Sequence, residues 1–237
     1  MCEAAELTET DTVLEIGPGL GSLTSLLVEG AEQVIAVEFD QNLAETLPTS
    51  INSQNLKVVN SDILSFDFSS VPNDYKIIAN IPYYLTSNLI RVISETSNPP
   101  SSATILVQKE VAQRVAAKPG GMSILSVTAQ YYWEVSLGQI VKAELFTPPP
   151  KVDSQILILK RKANPTAKGT ETTQLFKLVK AGFAQRRKTL LNSLSGGLHQ
   201  NKEEITELCK KANIDPKRRA QTLSLEEWHD LYHAFNT

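Results

Sequence analysis

The sequence predicts an α/β protein: a Rossmann-like, mainly parallel sheet of about seven strands with helices on both faces, then a small helical domain. Three observations carry this. Short apolar, β-branched runs alternate with stretches of helical spacing as far as residue 160. The first strand–turn–helix–strand passage, residues 12–38, has a glycine-rich turn and ends in a carboxylate. Beyond residue 172 only helical periodicity remains. The domains therefore read as 1–162 and 173–237, joined by a linker, 163–172, that contains Pro165 and Gly169.

The chain of 237 residues is long enough to bury a sizeable core. Its 41 % hydrophobic and 21 % charged residues mark a globular protein. No apolar run approaches the ~18 residues of a membrane helix, and the start lacks the segments of a signal peptide. Cys2 and Cys209 show no metal-ligand spacing and suit a reducing compartment, so a cytoplasmic protein is expected. His229 and His233 share a helix face, but no third ligand accompanies them and His199 stands apart, so no metal is expected. The net charge of −3 hides an asymmetry: residues 1–160 hold 9 basic against 18 acidic groups, residues 161–237 hold 14 against 8. The basic end suggests a polyanionic partner. A monomer is expected.

Residues 12–16 form an apolar strand that enters Gly17-Pro18-Gly19-Leu20-Gly21; Leu23, Leu26, Leu27 and Ala31 then recur at helical spacing. Residues 33–38 are the second strand. Glycine lets a ligand approach backbone that a Cβ would cover. Glu38, 19 residues beyond Gly19, stands where an acid can accept hydrogen bonds from both ribose hydroxyls. The dinucleotide fingerprint fails, because Ser22 occupies its third glycine position, and no phosphate-binding lysine follows. Glu15-x-Gly17-x-Gly19-x-Gly21 instead resembles the first motif of class I S-adenosylmethionine-dependent methyltransferases. Asp40 reads as the N-cap of a helix that ends near Pro48. Residues 56–60 are a third strand, followed by Ser61-Asp62-Ile63; Asp67 reads as a loop residue.

The fourth strand, residues 76–79, stops at Asn80-Ile81-Pro82-Tyr83-Tyr84. Open α/β sheets place ligands at such carboxyl ends. Pro82 fixes its own φ and restrains Ile81, so the turn is stiff. It can hold an amide acceptor, Asn80, and a stacking ring, Tyr83, for a flat substrate that carries an NH2 group. The residues alone also admit a plain turn in which Asn80 caps the next helix and Tyr83 is core. That helix starts at 86–88 and is closed by Pro99-Pro100; 103–107 is a fifth strand. A short helix near Val111 and Val115 stops at Pro119; 122–132 reads as helix, 133–141 as strand, 146–154 as a rigid loop and 155–160 as the last strand. Four apolar helical patterns follow, around Leu175, Leu190, Ile205 and Trp228.

Asn80-Ile81-Pro82-Tyr83 matches the Asn-[Leu/Ile]-Pro-[Tyr/Phe] motif of adenine-N6 methyltransferases that act on ribosomal RNA. Phe146-Thr147-Pro148-Pro149-Pro150-Lys151-Val152-Asp153-Ser154 resembles that family's second signature loop. Residues 185–193, with Arg186, Arg187 and Lys188, resemble its basic motif, and 218–224, with Arg218 and Arg219, its closing motif. From about residue 10 to its end the chain thus resembles the KsgA-type small-subunit rRNA adenine N6,N6-dimethyltransferases. The resemblance implies methyl transfer from S-adenosyl-L-methionine to N6 of two adjacent adenosines near the 3′ end of small-subunit rRNA, on the immature small ribosomal subunit. It implies that Asn80 and the Ile81 carbonyl accept the adenine N–H groups, with Tyr83 and Phe146 stacking on the base. It implies cofactor contacts from Gly17, Gly19, Gly21, Glu38, Asp62, Ile63 and Asn80, and RNA contacts from Arg186, Arg187, Lys188, Arg218 and Arg219. Macrolide-resistance enzymes acting on large-subunit rRNA share the N-terminal motifs, but the triple proline and residues 185–193 favour the small-subunit type. A non-catalytic RNA-binding assembly factor on the same fold is the other class. Family members carry a longer segment before the first strand; eleven residues precede Thr12 here, so the chain reads as N-terminally shortened.

Overall fold

In a computed structural model, residues 1–163 and 170–236 are described. Among them, Thr12–Ile16 (β1), Gln33–Glu38 (β2), Leu56–Asn60 (β3), Lys76–Asn80 (β4), Ser102–Gln108 (β5), Trp133–Val141 (β6) and Ser154–Arg161 (β7) form one sheet in the order β3-β2-β1-β4-β5-β7-β6. The pairs from β3 to β5 are parallel, while β7 runs antiparallel to both β5 and β6. The central strands β1, β2, β4 and β5 are nearly continuous apolar runs because helices cover both of their faces. The edge strand β6 keeps most of its positions open to solvent.

The helices Thr24–Gly30 (α1), Gln41–Ser50 (α2), Thr86–Glu95 (α3) and Lys109–Val115 (α4) follow β1, β2, β4 and β5. Asp40 caps α2 as expected, its Oδ1 accepting from Leu43 N–H at 3.0 Å. The helix ends at Ser50, two residues past Pro48 and near the expected place. Proline sits in the final turn, and Ile51 N–H still closes that turn on the Leu47 carbonyl at 2.8 Å. Asp67, in a loop as expected, caps the 3-10 turn Phe68–Ser70 that follows it. At the amino ends of the strands, Lys76 Nζ bonds the Glu6 carbonyl at 2.7 Å and the Asp11 carboxylate at 2.8 Å, which ties the first residues to β4.

The chain divides into two compact units, Met1–Gln113 with Trp133–Arg161, and Arg114–Tyr132 with the residues from Lys162 onward. This differs from a boundary at 162. The helix Ile124–Tyr132 (α5) buries Val127 and Tyr131 in the same core as Leu175, Leu194 and Trp228. Those side chains lie on the helices Thr170–Phe183 (α6), Leu190–Leu198 (α7) and Leu225–Phe235 (α9), with Lys202–Lys211 (α8) completing the unit. Helical periodicity announces that α5 has an apolar face but not which later elements will cover it. Of the expected linker, residues 164–169 lie outside the described residues.

Two reciprocal caps start helices in this unit: Asn201 with Glu204 on α8, and Ser224 with Glu227 on α9. His229 is buried and stacks on Tyr131, with centroids 5.6 Å apart. Burial, and then the charge of His233, hold its imidazole pKa below the ordinary value. Among the described residues no group of three or more His, Cys, Asp or Glu is placed to hold a metal ion. No helix among them is long and apolar enough to cross a membrane.

Candidate active site

Strand β1 lies between β2 and β4, so the winding direction reverses there and a crevice opens at the carboxyl ends of the strands. A cleft of about 350 Å³ occupies it, lined among others by Gly17, Glu38, Asp62, Ile63 and Pro82. Gly17 and Gly19 have φ of +67° and +57°, and a Cβ built on either would meet nothing within 4 Å. Their backbone faces open space that a side chain would fill, as close ligand approach requires. Gly21 differs: a Cβ there would lie 2.7 Å from Leu47 Cδ1, so this glycine serves the packing of α2.

The Glu38 carboxylate is fixed by two backbone donors, Gly19 N–H to Oε2 at 3.1 Å and Asp40 N–H to Oε1 at 2.9 Å. Each oxygen keeps a second lone pair, so the group can still accept from a vicinal diol. The Asn60 amide donates to the Glu38 carbonyl at 2.9 Å and clamps the end of β2. Asp62 is exposed; its Oδ1 accepts from Leu64 N–H at 2.9 Å, and its other oxygen remains available. Ile63 beside it is buried and contributes an apolar wall.

Beneath the glycine turn, Glu15 is 1 % exposed. Burial raises its carboxyl pKa to about 7; the Thr24 hydroxyl offsets part of this and the Glu38 charge adds to it. The hydroxyl lies near enough to act on the carboxyl, yet neither Glu15 Oε2 nor Thr24 Oγ1 has a hydrogen-bond partner among the described residues.

Asn80 ends β4 in register with Leu106. Its side chain is exposed, and among the described residues its amide makes no hydrogen bond. It caps nothing: the turn Tyr83–Leu85 and helix α3 both begin without a side-chain cap. Asn80 is also not part of the cleft lining; Pro82, Tyr84 and Leu85 of the same turn are. Ile81 is buried, which anchors the backbone carbonyl that follows the amide. Tyr83 is half-buried and not core, with its hydroxyl 2.8 Å from Ser154 Oγ. That contact joins the Asn80–Tyr83 motif to the last residue of the proline loop. Val141 pairs with Ser154, so the loop between them springs from the same end of the sheet. Within it Phe146 is half-buried. Asp153 accepts from Lys142 Nζ at 3.0 Å and Ala143 N–H at 3.1 Å, and these donors hold its carboxyl below the usual carboxylate range.

In the helical unit, Arg186, Arg187 and Lys188 are exposed in the turn between α6 and α7 and make no ion pair among the described residues. Arg219 is exposed as well. Arg218 departs from the expectation of a free RNA contact. Its guanidinium is ion-paired to Glu227, with Nη2 to Oε2 at 3.0 Å, and donates to the Thr222 carbonyl at 2.6 Å. Glu227 is the capping residue of α9, so Arg218 locks the start of that helix. Ser-x-x-Glu at 224–227 is a local capping signature, but it does not name Arg218 as the partner of Glu227. Tyr84 and the buried state of Glu15 were missed too; an aromatic directly after the turn motif was the one signal for the former.

Comparison with known proteins gives a consistent answer. The family model for ribosomal RNA adenine dimethylase matches residues 1–236. The chain is 44 % identical over 232 residues to the ribosomal RNA small subunit methyltransferase A of Dehalococcoides mccartyi strain CBDB1, covering 96 % of this chain and 80 % of that protein. It is 40 % identical over 242 residues to the protein of that name from Clostridioides difficile strain 630, covering 98 % and 84 %. Among solved structures, a dimethyladenosine transferase from Plasmodium falciparum superposes with a TM-score of 0.83 at 26 % identity, covering 99 % and 93 %. The 23S rRNA methyltransferase ErmE does so with 0.77 at 29 %, covering 100 % and 95 %.

Proposed function

The chain belongs to the ribosomal RNA adenine dimethylase family, and on that premise we propose that it dimethylates N6 of two adjacent adenosines near the 3′ end of small-subunit rRNA during ribosome biogenesis. It is a methyltransferase with the class I fold, and S-adenosyl-L-methionine is its cofactor. The site fits that cofactor: Gly17 and Gly19 leave backbone open, Glu38 offers acceptors for ribose hydroxyls, and Asp62 beside Ile63 offers one for the adenine amine. When bound, the cofactor supplies an electrophilic sulfonium methyl. Asn80 accepts one N–H of the target adenine and the Ile81 carbonyl the other, so that the N6 lone pair turns towards the methyl group. The adenine nitrogen needs no prior ionisation; the rate gain comes from positioning and electrostatics. Tyr83, held through Ser154, gives the flipped base a stacking face, with Phe146 on the other side. Arg186, Arg187, Lys188 and Arg219 bind RNA phosphates, while Arg218 holds the start of α9 through Glu227. The partner is the immature small subunit, met in the cytoplasm by a monomeric enzyme.

The single observation that carries this reading is an exposed amide, free of any capping duty, at the end of the strand beside a glycine-lined cleft. Identity of 40–44 % to small-subunit enzymes against 29 % to a 23S enzyme supports the small-subunit target. The test is incubation with labelled cofactor and either immature small subunits or large-subunit RNA, followed by nucleoside analysis. Dimethyladenosine in the small subunit, abolished by Asn80→Ala while cofactor binding persists, is expected. Label in large-subunit RNA alone overturns the target, and RNA binding without label makes the chain a non-catalytic assembly factor.

A further inference from the structure

The turn after β4 carries two consecutive tyrosines with different surroundings. Tyr83 reaches Ser154 at the start of β7. Tyr84 lines the cleft that also holds Glu38, Asp62 and Ile63. It does so while 81 % exposed, so the ring stands at the mouth of the cleft and not in its floor. Phe39, 77 % exposed, lines the same cleft from the end of β2, on the other side of β1 from Tyr84. A single exposed aromatic residue on a protein surface is ordinary. Two that line one cleft of ligand size, together with the carboxylates of Glu38 and Asp62, match a flat ring that carries an amine and a ribose.

We propose that Tyr84 is a cofactor-positioning residue: its ring stacks on the purine of the bound cofactor and closes the cleft on the side away from Phe39. This rests on the reading of the cleft as the S-adenosyl-L-methionine site. The aromatic face is the contributor, because the Tyr84 hydroxyl makes no hydrogen bond among the described residues. One stiff turn therefore serves both reactants, the acceptor base through Asn80 and Tyr83 and the donor through Tyr84. Pro82 fixes the backbone between Ile81 and Tyr83, so the two duties are mechanically linked.

The test is calorimetric titration of the full chain with S-adenosylhomocysteine, for wild type, Tyr84→Ala and Tyr84→Phe. Stacking on one base predicts a loss of about ten-fold or more in affinity for Tyr84→Ala. Tyr84→Phe should stay within two-fold of wild type. The side chain is exposed, so the thermal midpoint should hold in both variants, and an unfolded Tyr84→Ala would itself contradict the assignment. Unchanged affinity in Tyr84→Ala overturns the proposal, as does a loss in Tyr84→Phe equal to that in Tyr84→Ala. Weakened RNA binding with unchanged nucleoside affinity would assign the ring to the RNA surface and also overturn it. Absence of binding by wild type would instead refute the cofactor reading on which the proposal stands.

Discussion

At the scale of single residues, the site combines groups held rigidly with groups left free. Glu38 is pinned by two N–H donors, whereas the Asn80 amide has no protein partner among the described residues. An unpaired amide at a strand end costs little while water solvates it, and its carbonyl stays free to accept. Glu15 is the opposite case, a carboxyl buried with one oxygen unpartnered. Its pKa of about 7 in the folded chain exceeds the 4.5 of an ordinary glutamate. The folded state therefore holds the proton more tightly than the unfolded one. The stability this confers is complete below the unfolded value and is lost as pH rises through about 7. Glu15→Gln removes that dependence. In urea unfolding the stability difference between variant and wild type should move in the variant's favour from pH 5 to pH 8. A pH-independent difference would show that the carboxyl is not protonated in the fold.

At the scale of elements, close approach between helices decides the second unit. Trp228 on α9 is fully buried, and a Cβ at Gly182 on α6 would lie 2.4 Å from its Cη2. Gly182→Ala should destabilise by about 1–3 kcal/mol through overpacking, read as a lower urea midpoint at unchanged m. Trp228→Phe in the same chain removes the clashing atom, so the double variant should lose less than the sum of the two single ones. Strict additivity would place the strain elsewhere. The capping pair Ser224–Glu227 is reinforced by Arg218, whose three partners all belong to the same turn and helix start. Arg218 of the closing motif thus has a structural duty, while the side chain of its neighbour Arg219 is exposed.

At the scale of the whole molecule, the basic turn 186–188 and the sheet with its cleft belong to different compact units. Replacing Arg186, Arg187 and Lys188 together by Ala should reduce the slope of log K against log salt for RNA by about two to three. An unaltered slope would make the turn a solvated surface only. The units also exchange chain, since α5 lies in sequence between the strands but packs with the last helices. A chain ended after residue 162 would expose Val127 and Tyr131 to water. It should bind a hydrophobic dye and unfold without a sharp transition; a cooperative, dye-free truncated protein would refute that packing.

Local chemistry was enough for a large share of the fold and of the candidate site. Strands β1, β2 and β3 stand where apolar, β-branched runs end at Gly17, Glu38 and Asn60, because period and breakers are properties of neighbours in sequence. The positive-φ glycines, the stiff Pro82 turn and the Asp40 cap are local in the same sense. The rest depended on residues far apart in the chain. The antiparallel insertion of β7 between β5 and β6, the transfer of α5 to the helical core, and the Arg218–Glu227 pair each need a partner that periodicity does not name. Tyr84 belongs with them. Its spacing is as plain as that of Tyr83, but only the folded sheet decides that one ring meets β7 while the other overlooks the cleft, because side-chain direction in a tight turn follows from the strands it joins.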